Sequence, residues 1–219
     1  MKTIKSGIAV TSIFILVFLG VKGVKAENVG EDNYVWITIQ DDDGVDESYW
    51  GVCFHPGQVI CKIINLDINP NQIKKAKIWY KIGYAPYFSP LKKHFNKPVE
   101  GINWANIQIL VNDEVAIETE GIFLATRGCH EISIKPQLLE KGENTIKFRW
   151  SELSEDNPKN ASYGGFYMAI DTSKSYNRSC SSKDGGFTFD FDTLRPGQAP
   201  DERWQGEYMI RLKIALSAK

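Results

Sequence analysis

The sequence has almost no net charge, with 26 basic against 27 acidic residues, and it has no basic run and no acidic tail. A chain that grips nucleic acid or an anionic membrane by electrostatics carries a basic patch or stripe, so neither is expected as a partner. Beyond the N-terminus no segment of ordinary length repeats its apolar residues at helical spacing, which argues against bundles and alternating α/β folds. Internal repeats and low-complexity tracts are lacking. The three histidines, His55, His94 and His130, stand far apart. There is no Cys-x-x-Cys, no His-Glu-x-x-His and no Gly-x-Ser-x-Gly, so the spacings of common zinc sites and serine hydrolases are missing.

What is present is alternation. Asn106 to Val111 and Glu114 to Thr119 flank Asn112-Asp113, two residues that tolerate positive φ and suit a tight hairpin turn. His130 to Lys135 places Ile132 and Ile134 on one face, and Asn144 to Trp150 sets Ile146, Phe148 and Trp150 against Thr145, Lys147 and Arg149. Period-two patterning of this kind marks half-buried antiparallel strands. Between these strands Pro136 ends the first, Leu138 and Leu139 are placed to plug the end of a sandwich, and Gly142 supplies a left-handed turn.

The same pattern extends outward. Tyr34 to Ile39 turns Val35, Ile37 and Ile39 inward and Tyr34, Trp36 and Thr38 outward. Lys75 to Ile82 turns Ala76, Ile78, Tyr80 and Ile82 inward, with Trp79 among lysines on the other side. Further strands are expected at Ser48–Phe54, Gln58–Ile68, Gly165–Asp171, Phe187–Asp192 and Glu207–Leu216, whereas Asp171 to Gly186, rich in serine, reads as loop. About ten antiparallel strands, each burying one face, predict an all-β sandwich. The length left after a targeting segment suits a single domain over residues 27–219.

Met1 to Lys5, an apolar run from Gly7 to Val21 and the small residues at Val24-Lys-Ala26 fit a secretory signal peptide over residues 1–26, cut after Ala26. The alternative is an uncleaved anchor, although the run is shorter than the roughly 20 apolar residues that span a bilayer. A secreted, periplasmic or cell-surface location follows, with no membrane association after cleavage. Four cysteines then favour disulfides. Of the three pairings, Cys53 with Cys61 across the turn-like Phe54-His-Pro-Gly57 is favoured, which leaves Cys129 with Cys180; a metal site is the rival use of the same thiols.

Ile109-Leu-Val-Asn-Asp-Glu-Val115, then Pro136-x-Leu-Leu-x-x-Gly-Glu-Asn-Thr-Ile146, then a closing amphipathic strand, together resemble the galactose-binding-like jelly roll of discoidin domains and carbohydrate-binding modules. Asp113 stands where that hairpin usually has glycine. The resemblance implies a non-catalytic glycan-binding role, and often a structural calcium near the chain ends. Sugar binding needs aromatic faces beside polar groups. Two sets qualify: Tyr84, Tyr87 and Phe88 in the long 83–101 segment, with His94 and Asn96, and the strand residues Trp36 and Trp79. Burial of these aromatics beneath that segment is the plainer alternative.

For calcium the oxygen-rich candidates are Asp41, Asp42, Asp43 and Asp46, with Glu47 and, from the far end of the chain, Asp190, Asp192 or Glu207. A solvated acidic loop is the alternative. Two further functions remain open. Carboxylates two apart, Glu118 with Glu120 and Asp190 with Asp192, share a strand face and suit glycoside hydrolysis or lyase chemistry. A structural or adhesive protein that meets partner proteins at a cell surface would instead present an exposed apolar patch. Asn160-Ala-Ser162 and Asn177-Arg-Ser179 spell N-glycosylation sites.

Overall fold

The computed structural model describes residues 24–27, 34–42, 52–54, 57–85, 107–119, 128–150, 165–173, 176–194 and 205–218. Its strands, in chain order, are β1 (Val24–Glu27), β2 (Tyr34–Ile39), β3 (Val52–Phe54), β4 (Val59–Leu66), β5 (Ile73–Ala85), β6 (Ile107–Val111), β7 (Glu114–Thr119), β8 (Gly128–Ile134), β9 (Gly142–Trp150), β10 (Gly165–Met168), β11 (Ile170–Asp171), β12 (Ser179–Ser182), β13 (Glu207–Tyr208) and β14 (Ile210–Ser217). Two short 3-10 turns, Pro70–Gln72 and Pro136–Leu138, are the helical elements among the described residues. None of the described helices is long and apolar enough to cross a membrane.

The strands form an antiparallel all-β sandwich. One sheet has seven strands in the order β1-β2-β14-β5-β10-β3, with β8 on the free side of β5; the other has five, in the order β12-β4-β9-β6-β7. A short ladder of β11 with β13 completes the pairing. β5 is the spine of the larger sheet, because its 13 residues carry β14 and then β10 along one edge and β8 along the other.

Alternation builds the core. Ile78, Tyr80 and Ile82 of β5, Ile210, Leu212 and Ile214 of β14 and Ile37 and Ile39 of β2 meet Ile60 and Ile64 of β4, Ile107 and Ile109 of β6 and Ile146 and Phe148 of β9 in one buried cluster. The rings of Tyr80 and Phe148 cross between the sheets edge to face, with centroids 4.9 Å apart, a geometry that adds to the area each ring buries. Every second residue of β5 therefore points out, and Lys75, Lys77, Trp79 and Lys81 form the opposite face, as their alternation requires.

The two motif-like runs meet at one end of the five-stranded sheet. Asn112 and Asp113 both have positive φ, 51° and 68°, the pair of values a two-residue hairpin turn demands. Asn112 Nδ2 donates to Leu138 O and to Asn144 Oδ1, each at 2.9 Å, while Thr145 N donates to Asn112 Oδ1. Asn144, fully buried, accepts from Glu140 N and donates to Glu140 O and Gly142 O. Leu139 plugs the core beside them.

Three expectations are corrected. The serine-rich stretch contains β12, whose four residues are all buried; serine is a weak strand former, and burial between β4 and the chain above it overrides that preference. Phe187 to Asp192 is not a strand but a turn-rich segment with one isolated bridge, Ser181 to Asp190. The segment bends because Asp184 accepts from Phe187 N, Thr188 N and Thr188 Oγ1, which spends backbone donors that a ladder needs.

The third concerns the cysteines. β3 and β4 lie in different sheets, so the turn between Cys53 and Cys61 does not bring paired strands together. Cys129 is exposed on β8, whereas Cys180 on β12 is the register partner of Cys61 on β4. Cys61, Cys129 and Cys180 are all free thiols.

Candidate functional site

Two groupings of polar and aromatic side chains stand out, one on the outer face of the seven-stranded sheet and one inside the sandwich. Register assembles the first. Trp36 lies across Ala215 from Lys75, Thr38 across Lys213 from Lys77, and Arg211 pairs with Trp79, which in turn pairs with Glu131. Because opposite residues share a face, Tyr34, Trp36, Trp79, Lys75, Lys77, Lys81, Arg211, Lys213 and Glu131 lie on one surface. Trp36 and Trp79 are half-buried there.

Cations lie over the aromatic rings. Lys75 Nζ is 4.5 Å from the centroid of Tyr34, Lys77 Nζ is 5.1 Å from that of Trp36, and Arg211 Cζ is 4.1 Å from that of Trp79. Each distance is within the range of cation–π attraction. Glu131 answers Lys77 at 2.8 Å and Lys213 at 3.4 Å. Burial is the largest single influence on its carboxyl and pushes the pKa up, yet the hydrogen bond from Lys77 and the charges of Lys213 and Lys77 together hold it below the usual value. Arg211 is also clamped by both oxygens of Asp42. Among the described residues Glu131 and Asp42 are the carboxylates seen to engage Lys77, Lys213 and Arg211 on this face, and Glu27 of β1 stands opposite Trp36 in register.

The second grouping is a buried ion network. Lys62 points inward from β4 and is fully buried. Its Nζ lies 2.5 Å from Glu207 Oε2, 3.2 Å from Asp41 Oδ2 and 3.4 Å from Ser179 Oγ. Glu207 Oε1 accepts from Tyr176 N and Arg178 N, Glu207 Oε2 accepts from Ser179 Oγ, and Arg178 Nη1 reaches Asp41 at 3.1 Å. Donors on all sides saturate the Glu207 carboxylate, and the network closes on itself within the interior. It joins the segment after β2 to β4, β12 and β13, which is a packing role.

The expected site residues divide between described and undescribed positions. Trp36 and Trp79 face outward from their strands, and register through β14 brings them to the same sheet face. Tyr84 belongs to β5, which runs two residues past Gly83 through pairing with β10; it is therefore not in a loop. Tyr87, Phe88, His94 and Asn96 lie outside the described residues, as do Asp43, Asp46, Glu47, His55 and Glu120.

Asp41 and Asp42 are engaged by Lys62, Arg178 and Arg211, so a calcium ion there would have to displace cations already in place. Among the described residues no group of three or more His, Cys, Asp or Glu side chains is arranged to hold a metal. Asp190 and Asp192 do not share a strand face but sit in a turn, where Asp192 N donates to Asp190 Oδ1. His130 points inward and stacks on Tyr80 with centroids 5.5 Å apart.

Sequence reasoning missed two features. The partners of Lys62 are 21 or more positions away in the chain, and a lysine flanked by Cys61 and Ile63 carries no sign of inward orientation beyond strand parity. Phe187, expected in a strand, is 92% exposed, held out by the hydrogen bonds to Asp184. No family model matches the sequence, and no curated protein matches it.

Proposed function

We propose that the chain is an exported, non-catalytic glycan-binding module of the galactose-binding-like kind, and that it takes an acidic glycan across the outer face of its seven-stranded sheet. The observation that carries this reading is the placement of Tyr34, Trp36 and Trp79 on one sheet face, with a lysine or arginine head over each ring. Indole faces supply apolar area for the C–H side of a sugar ring, while ammonium and guanidinium groups supply donors to hydroxyls and to carboxylate or sulfate substituents. A sheet face suits an extended chain of sugars rather than a single small molecule held in a pocket. The motif-like runs joined by Asn112 and Asn144 are consistent with this family, and a secretory leader at residues 1–26 would carry the module to where glycans are met.

The test is a glycan array of carboxylated, sulfated and neutral oligosaccharides, probed with the wild-type chain and with Trp36→Ala and Trp79→Ala. Retention of acidic glycans is expected to weaken as salt rises and to be lost in Trp79→Ala with little change in melting temperature. Undiminished retention by a double variant lacking both indoles would sink the reading.

A second reading, attachment to another protein, rests on one observation. Phe187 is exposed on a turn fixed by Asp184, with Phe191 and Tyr176 also exposed, and a rigidly presented aromatic is the kind of anchor that dominates protein interfaces. Loss of partner capture in Phe187→Ala, with glycan retention intact, would favour it.

A further inference from the structure

On the outer side of the five-stranded sheet Cys61 and Cys180 are directly opposite one another on the antiparallel strands β4 and β12. Ile63 N donates to Arg178 O at 2.7 Å, so Ile63 and Arg178 form a hydrogen-bonded pair. Two residues along, Cys61 and Cys180 form the next pair of that type. Such pairs hold their Cα atoms about 5.5 Å apart, which falls at the separation most disulfides adopt, about 5.5–6 Å. Opposite residues also send their side chains out on the same face. The two thiols are hydrogen-bonded to each other, and both residues are buried.

We propose that Cys61 and Cys180 are the site of an intramolecular disulfide that ties β12 to β4. The oxidant is a small or protein disulfide of the glutathione class. The Cys61 thiolate attacks one of its sulfurs, which breaks the external S–S bond, releases one thiolate and leaves a mixed disulfide on Cys61. The Cys180 thiolate then attacks Cys61 Sγ, forms the Sγ–Sγ bond and expels the second thiolate. Two electrons pass to the external disulfide, and the two protons lost from the cysteines end on the two released thiols. The protein is oxidised and the reagent reduced, with every atom accounted for.

The surroundings fix when this reaction occurs. Lys147 of β9 is the other register neighbour of Cys61, and its Nζ lies 5.1 Å from the centroid of Phe189. The 183–190 segment is pinned back over the strand by Gly185 N donating to Gly57 O and by the bridge from Ser181 to Asp190. In the closed, reduced chain the hydrogen bond between the thiols, and after it burial, push the Cys180 thiol far above its ordinary range. The reactive thiolate is then scarce. Oxidation belongs to the folding phase, after β4 and β12 pair and before the segment closes over them. The pairing also closes a loop of about 120 residues, the long-loop case in which a cross-link restricts the unfolded chain most.

To test this, the full chain is refolded in reduced and oxidised glutathione, its remaining thiols are alkylated under denaturing conditions, and unreduced proteolytic fragments are mapped by mass spectrometry. A fragment joining Cys61 to Cys180 is expected. Linkage of Cys61 to Cys53, linkage of Cys180 to Cys129, or alkylation of both Cys61 and Cys180 would overturn the proposal. Melting supplies the second measurement: the oxidised wild type should melt roughly 10 °C above the reduced wild type, and that difference should vanish in Cys61→Ala/Cys180→Ala. A difference that persists in the double variant would place the stabilising bridge elsewhere. The native reduced protein should resist alkylation at both positions until it is unfolded, and rapid labelling in the native state counts against the protected geometry. None of these readouts depends on glycan binding.

Discussion

Lys62 Nζ lies 2.5 Å from Glu207 Oε2, with the two side chains 1% and 0% exposed. Removing one member of a buried, hydrogen-bonded ion pair leaves its partner desolvated and uncompensated, at a cost of about 3–5 kcal/mol. Lys62→Met is therefore expected to lose about that much stability in urea unfolding. Adding Glu207→Gln in the same chain should recover part of the loss, since one of the two carboxylates that lose Lys62 is then neutral while Asp41 keeps Arg178. Additive losses in the double variant would mean that the two residues act independently.

Asp113 gives a prediction of opposite sign. Its φ of 68° strains a residue that carries a Cβ, and its ion pair with Lys147 is on an exposed carboxylate, a contact worth about 0–1 kcal/mol. Asp113→Gly should relieve the strain and stabilise the hairpin by up to about 1 kcal/mol. Asn112→Gly keeps the turn but loses the hydrogen bonds to Leu138, Asn144 and Thr145, and should destabilise by roughly 2 kcal/mol. Chemical denaturation of both variants separates the geometry of the turn from the contacts of its side chain.

Gly206 and Gly142 both have positive φ, 144° and 104°, but only Gly206 is hemmed in. A Cβ there would collide with Asp171 O and stand 3.0 Å from Ile170 Cγ2, whereas at Gly142 it would meet open space. Gly206→Ala should cost more than about 3 kcal/mol, because the β11–β13 ladder and Glu207 beside it must shift. Gly142→Ala should cost only about 1 kcal/mol of backbone strain. Equal melting temperatures for the two variants would contradict the crowding at Asp171.

Two buried phenols set the alkaline limit. Burial pushes Tyr80 up to about 12 and Tyr208 well above its ordinary value. Below pH 10 both states keep the proton and nothing is lost. Between pH 10 and 12 the unfolded chain releases it while folded Tyr80 does not, so stability falls by roughly 2–3 kcal/mol for this residue and levels off above pH 12. Tyr80→Phe should flatten that part of the pH–stability curve. Tyr208, whose hydroxyl donates to Leu194 O, should still contribute to the decline in that variant.

Strand parity was the most legible part of the sequence. Wherever apolar and polar residues alternate without a break, as in Tyr34–Ile39 and Lys75–Ile82, parity gives the faces the structure has and turns Trp36 and Trp79 outward; register through β14 then brings the two indoles to one surface. The hairpin at Asn112-Asp113 and the plug at Leu139 were legible because turn chemistry is local. Composition misled where tertiary contact decided the outcome: Ser179–Ser182 is a buried strand, and Phe187–Asp192 is bent by Asp184. Pairing across the chain was not legible at all. Nothing near Cys61 in the sequence marks Cys180, 119 positions on, as its neighbour, and nothing near Lys62 marks Glu207, because sheet order is set by which faces fit together rather than by any local signal.

The pairing of β1 has a temporal consequence. Val24, Lys25 and Ala26 hydrogen-bond along β2 opposite Ile39, Thr38 and Ile37, and the bond after Ala26 is where a leader is expected to be cut. A peptidase needs that backbone extended and unoccupied, yet the finished sheet holds it as a strand. If a leader is cut there, maturation must precede sheet closure, and the loss of three of the four β1 residues leaves β2 as an open border, ready to accept a strand from another molecule.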